Sequence, residues 1–127
     1  MVLNHDCVRD LMLFAEENLN MHNYIRCSSL KIDCYTTDEL IYAASKLIQA
    51  NYLEGKIQKF IDGDIEVIVT SITWNGHEFL DNVRDNGVWD KTKSVVGKLS
   101  SVSINIISNV AAQIITKIIN QQIGSNS

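Results

Sequence analysis

The sequence predicts an α+β fold: a winged-helix-like domain of helices and a small antiparallel β-hairpin, followed by a C-terminal helical extension. Three stretches carry that prediction. Thr36 stands three residues before Glu39, the spacing of a capping box, and apolar side chains then recur at helical spacing. Tyr52 to Ile61 and Ile65 to Ile72 are β-rich runs on either side of Asp62, Gly63 and Asp64, a turn signal that joins them as a hairpin, the wing. Ser101 to Ile119 repeats isoleucine along one side of a helix.

Taken in order, Asn4 can cap a first helix running to about Leu19, with Asp6 in its first turn. Val8, Leu11, Met12, Ala15 and Leu19 form its buried stripe, leaving Arg9, Asp10, Glu16 and Glu17 to water. Asn18, Asn20, His22 and Asn23 break it, and Tyr24 to Ile32 holds enough β-formers for a short strand. In the central helix, Leu40, Ile41, Ala44, Leu47 and Ile48 make the core face; Asp38, Glu39, Tyr42, Ser45, Lys46 and Gln49 take the free one. Asn51 tolerates the left-handed backbone and stops it. After the hairpin, Thr73 caps a helix that points Phe79, Leu80 and Val83 inward, sets Trp74 over the open end of the core, and ends at Asp85, Asn86 and Gly87.

Composition shifts beyond that point, which sets the expected domains at 1–86 for the winged-helix-like part and 87–127 for the extension. Val88, Thr92, Val95 and Leu99 trace a weak helical stripe interrupted by Gly97. In the helix from Ser101 to Ile119, β-branched isoleucines give only modest propensity, so packing must hold it. Packing back in cis is one reading. Self-association is another, because Ile104, Ile107, Ala111, Ile114 and Ile118 keep a near-heptad spacing that suits a seam in a homo-oligomer. With only Lys117 charged and no aromatic residue, the helix is poorly suited to a membrane surface. Residues 121–127 are expected to fray.

The chain is 46% hydrophobic, contains no proline and carries a net charge of −4. That is a folded chain whose overall charge repels phosphate backbones. Three cysteines, Cys7, Cys27 and Cys34, and an N-terminus without a charged region or apolar run lead us to expect a reducing cytoplasm. No apolar run is long enough to be a transmembrane segment. His5, Cys7, His22, Cys27 and Cys34 are metal-ligand types, but no C-x-x-C pair or other common zinc spacing joins them, so buried apolar cysteines are the expectation. His77 and Glu78 point about 100° apart on a helix and do not converge as an acid and base. No nucleophile set or phosphate-cradling glycine loop is present, so no catalytic residue and no cofactor is expected.

The free face of the central helix and the wing are the candidate contact surface. Readers of DNA need cations at the entering end of the helix, yet Asp38 and Glu39 stand there, and the wing tip is Asp62 and Asp64. A protein partner is therefore expected, contacted by Asp38, Glu39, Tyr42, Lys46, Asp62 and Asp64. The alternative is a dimeric winged-helix transcriptional regulator, which would need Lys56 and Lys59 to form a basic patch with Arg26 and Lys31.

One stretch carries a resemblance. Thr73, Trp74, Gly76, His77, Glu78, Phe79, Leu80 and Asp81, followed by Trp89, Lys91, Thr92 and Lys93, resemble a family of small uncharacterised phage and prophage proteins of unknown function. Upstream, Tyr35, Asp38, Glu39, Leu47 and Ile48, then Tyr52 to Gly55, are similar to it too, so the likeness covers about residues 4 to 99. The resemblance implies a winged-helix-like fold and a mobile-element origin, so the reducing cytoplasm expected from the cysteines would be that of the host cell. It transfers no catalytic residue. The function expected is that of a non-enzymatic accessory protein that docks on a host or phage protein, including one of a defence system.

Overall fold

In the computed structural model, Asn4 opens helix α1 (His5–Asn18): its side chain accepts the Cys7 amide at 3.1 Å, satisfying an amide the first turn leaves without a partner. Cys7, Val8, Leu11, Met12 and Ala15 are buried on its inner face, while Leu19, the C-cap, is only half-buried. Arg9 does not lie in water as its place in the pattern suggested. It is buried, with its guanidinium 3.9 Å from the Asp10 carboxylate.

Strand β1 is much shorter than the sequence suggests, only Ile25–Arg26, and gives way to a 3₁₀ turn at Cys27–Ser29. The cause is a side chain from elsewhere: the amide and hydroxyl of Ser28 both donate to the Glu66 carboxylate, which takes the place of a further ladder bond.

Helix α2 (Thr37–Gln49) starts at the expected capping box. Thr36 Oγ1 accepts the Glu39 amide at 3.1 Å and the Glu39 carboxylate accepts the Thr36 amide at 3.3 Å. Leu40, Ala43, Ala44 and Leu47 are its buried stripe, so Ala43 belongs to the core and Ile41 and Ile48 sit at its margin. Asn51 takes φ 64 just after the helix. Strands β2 (Leu53–Lys59) and β3 (Ile65–Ile72) then pair antiparallel, Lys59 opposite Ile65, around a turn in which Gly63 has φ 93. The sheet order is β1-β3-β2.

Helix α3 (Trp74–Val83) begins where Thr73 Oγ1 accepts the Gly76 amide at 3.0 Å and donates to the Asn51 carbonyl at 2.6 Å. Phe79, Leu80 and Val83 are buried as expected. Trp74 instead is 77% exposed and donates its indole N–H to Glu78 one turn on, at 2.7 Å, an i,i+4 pair on the outer surface of the helix. Asp85 does not end α3 but caps helix α4 (Asn86–Val96), accepting the Val88 amide at 2.9 Å, so Asn86 and Gly87 are helical. Val88, Trp89 and Thr92 are buried; Val95 and Leu99 are exposed.

Helix α5 (Ile104–Ser125) runs past the expected end at Ile119. Asn120 to Ile123 contain no proline or charge clash to stop it, and a glycine at 124 alone does not break a helix. The structure describes residues 1–125; the end of the frayed tail expected from the sequence lies outside them. The fold is α+β, with five α-helices and one three-stranded antiparallel sheet among the described residues, compatible with a winged-helix-like arrangement. The chain divides into two units, Met1–Glu78 and Phe79–Ser127. In the first, α1 packs on α2, and α2 lies against the sheet; in the second, α4 packs against α5.

Candidate functional site

Period-2 alternation puts Leu53, Gly55, Ile57 and Lys59 of β2 on one face with Ile65, Val67 and Val69 of β3. Near α1 and α2 that face is sealed: Leu53, Val67 and Val69 are at most 1% exposed. Toward the hairpin tip the cover thins. Ile57 is half-buried, Ile65 is 42% exposed and Phe60, at the turn, is 53% exposed.

Facing this uncovered part is the outer stripe of α2, Asp38, Ile41, Tyr42, Ser45, Lys46 and Gln49, whose 3-4 spacing holds it on one side. Together they enclose a groove of about 860 Å³. Its apolar side chains are Ile41, Ile57, Phe60 and Ile65; Asp38, Asp62, Asp64 and Glu66 supply carboxylates, and Lys46 and Lys59 the cations. Met1 also lines it, its carbonyl accepting the Tyr42 hydroxyl at 3.3 Å.

Of the residues proposed from the sequence, Asp38, Tyr42, Lys46, Asp62 and Asp64 meet in this groove. Glu39 does not line it, because its carboxylate is turned back to Thr36 as half of the capping box. Sequence reasoning missed the apolar part. Hydrophobicity alone places Ile41 in the core, yet it keeps 3-4 spacing with Asp38 and Ser45, the signal that places it here. Lys46 is already engaged, 5.4 Å from the Tyr42 ring centroid with Nζ donating to Gln49 at 3.2 Å. Asp62 accepts the Asp64 amide at 3.0 Å, which shapes the tip.

Burial pushes Glu66 up, but the Ser28 hydrogen bonds, the Val67 amide and the charge of Arg26 outweigh it and hold the carboxyl below its usual range. Glu66 is ionised at neutral pH, so the groove carries more negative than positive charge. The first unit as a whole carries twelve Asp and Glu against six Lys and Arg.

The other candidates are placed elsewhere. Cys7 and Cys27 are buried, and burial above all pushes their thiols up to about 11 and about 12, away from the thiolate a metal or nucleophile needs; Cys34 is exposed. Among the described residues, no three His, Cys, Asp or Glu side chains gather into a set that could hold a metal ion. Glu78 is taken by the Trp74 indole, and His77 is exposed. On α5, Ile107 and Ala111 are at most 1% exposed and used up inside the chain, which removes them from any seam with a second copy. Ile104, Ile114 and Ile118 stay half-buried and Ile119 is 50% exposed. Among the described residues, no helix is long and apolar enough to cross a membrane.

The family model described as a hypothetical protein, DUF2513, matches residues 2–103. A protein of Haemophilus influenzae, described as an uncharacterized protein, is 29% identical over 119 residues, spanning 91% of this chain and 97% of that protein. No solved structure matches.

Proposed function

The chain belongs to the DUF2513 family of hypothetical proteins, and from that premise we propose that it is a non-enzymatic binding module whose groove between α2 and the β2–β3 hairpin docks a polypeptide partner. The observation that carries this reading is the incompletely covered apolar set Ile41, Ile57, Phe60 and Ile65 enclosed by carboxylates. Clustered apolar surface rimmed by polar groups favours protein contact, and the negative rim disfavours a phosphate backbone. The motif residues that can be followed in the structure also support a non-catalytic role: Thr73 caps, Phe79 and Leu80 pack, Trp89 is buried, and Thr92 donates to the Val88 carbonyl at 2.7 Å. The resemblance to phage and prophage proteins supports an accessory role in a mobile element.

A second copy of the chain is part of the same proposal. Helix α5 carries one charged residue, Lys117, and leaves Ile114, Ile118, Ile119 and Ile123 partly or largely exposed, which supports association through its C-terminal half.

Photo-crosslinking tests the docking reading. With benzoyl-phenylalanine in place of Phe60, irradiation of cells producing the chain should give adducts with polypeptides other than the chain itself. Adducts only with nucleic acid, or none above those formed from an exposed control position at Glu17, would overturn it.

A further inference from the structure

The electrostatics of the groove narrow the chemistry of the polypeptide it selects. Asp38 sits at the first turn of α2 on one wall; Asp62 and Asp64 sit at the hairpin tip on the other, all three exposed. Glu66 holds its negative charge at neutral pH. Lys46, held over the Tyr42 ring and bonded to Gln49, keeps its charge, so two lysines, Lys46 and Lys59, stand against four carboxylates. Between the charged walls lie Ile41, Ile57, Phe60 and Ile65, with Phe60 and Ile65 open to water at 53% and 42%. An occupant that matches this surface must bring apolar side chains to the floor and positive charge to both walls. An acidic segment would meet like charge on either side, and a nucleic acid would meet it without an apolar anchor to offset the cost.

We propose that the groove takes a short cationic segment of a partner protein, one large aliphatic or aromatic side chain seated against Phe60, Ile41 and Ile65 and flanked by Lys or Arg facing Asp38, Asp62 and Asp64. This rests on the docking reading above and adds the charge class of the partner. Phe60 supplies the contact area, and the carboxylates supply orientation and a faster encounter that salt weakens.

The test is selection of a random peptide display library on the intact chain, followed by affinity measurements on the recovered peptides. Three variants sort the outcomes. D38N/D62N/D64N removes charge while leaving at position 62 a side-chain oxygen that can still accept the backbone amide of position 64; F60A removes the anchor contact; E17Q, on an exposed position of α1, is the control. The expected result is enrichment of peptides with Lys or Arg flanking Phe, Leu, Trp or Ile. Their binding should weaken about tenfold in the triple variant and in F60A, stay unchanged in E17Q, and fall as salt is raised. Acidic or uncharged peptides that are lost in F60A but not in the triple variant would overturn the charge class and leave the docking reading standing. No enrichment, or peptides indifferent to F60A, would overturn both.

Discussion

Gly76 gives the sharpest quantitative handle on the fold. It is the third residue of α3, where the helix N-terminus runs against Tyr52 in the α2–β2 connection, the last residue of β3 and Met12 of α1. A methyl group built there would fall inside the envelope of the Tyr52 carbonyl oxygen, 2.8 Å from Ile72 Cγ2 and 3.1 Å from Met12 Cε. The methionine tip can swing away. The carbonyl cannot, because it accepts the Thr73 amide at 3.2 Å, and Thr73 is itself tied to Asn51 and to Gly76. Forcing a methyl into such a site costs about 3 kcal/mol at the upper end of the usual range. Alanine returns about 1 kcal/mol through helix propensity. Gly76→Ala should therefore lose about 2 kcal/mol, a fall of roughly 8 °C in Tm for a chain of this size. Gly124→Ala is the internal control: nothing lies within 4 Å of a methyl there, so propensity alone acts and stability should hold or rise by up to about 0.5 kcal/mol. Thermal and urea unfolding followed by circular dichroism measure both. A Gly76→Ala variant as stable as the parent, or more so, would refute the packing argument at the α3 start.

Other perturbations have equally definite outcomes. Thr36→Ala removes the side-chain acceptor of the Glu39 amide and should cost about 1 kcal/mol in urea unfolding. Cys7 and Cys27 are raised from 9.0 to about 11 and about 12 by burial, so the folded state holds their protons above pH 9 while the unfolded chain releases them. Their contribution is complete below about pH 9 and should be lost as pH climbs toward 12, on the order of 7 kcal/mol for the pair. C7A/C27A should flatten that alkaline limb, leaving the share of Tyr35 and Tyr52, both also raised by burial. Sedimentation equilibrium at about 100 µM should give twice the chain mass of 14.3 kDa, and Ile118→Lys should return the single-chain mass, because a cation at a partly exposed seam position is costly to bury. A single-chain mass for the parent would end the self-association proposal.

What the sequence made legible was local. The capping box at Thr36 and Glu39, the left-handed stop at Asn51 and the glycine turn of the hairpin each follow from a few neighbouring residues, and each stands where expected. What it hid depended on distant partners. Nothing near Ser28 announces that Glu66, 38 positions on, will take its amide and cut β1 to two residues. Arg9 looked solvated because its side chain type is, and its burial is set by what packs over it. Hydrophobicity alone points Ile41 inward, whereas α2 fills its inner face with Leu40, Ala43, Ala44 and Leu47 and turns Ile41 toward the hairpin. The charged half of the candidate site was therefore visible in the sequence, and its apolar half emerged only once the hairpin stood opposite the helix.

Backbone NMR of the isotope-labelled chain tests the central claim most directly, titrated in turn with a cationic peptide from the display selection and with a duplex DNA at about 50 mM salt, where phosphate contacts are strongest. The peptide should shift amides along Asp38–Gln49 and Ile57–Glu66, and the duplex should leave them in place. Shifts at those residues from the duplex and none from the peptide would contradict the assignment of this groove to a polypeptide.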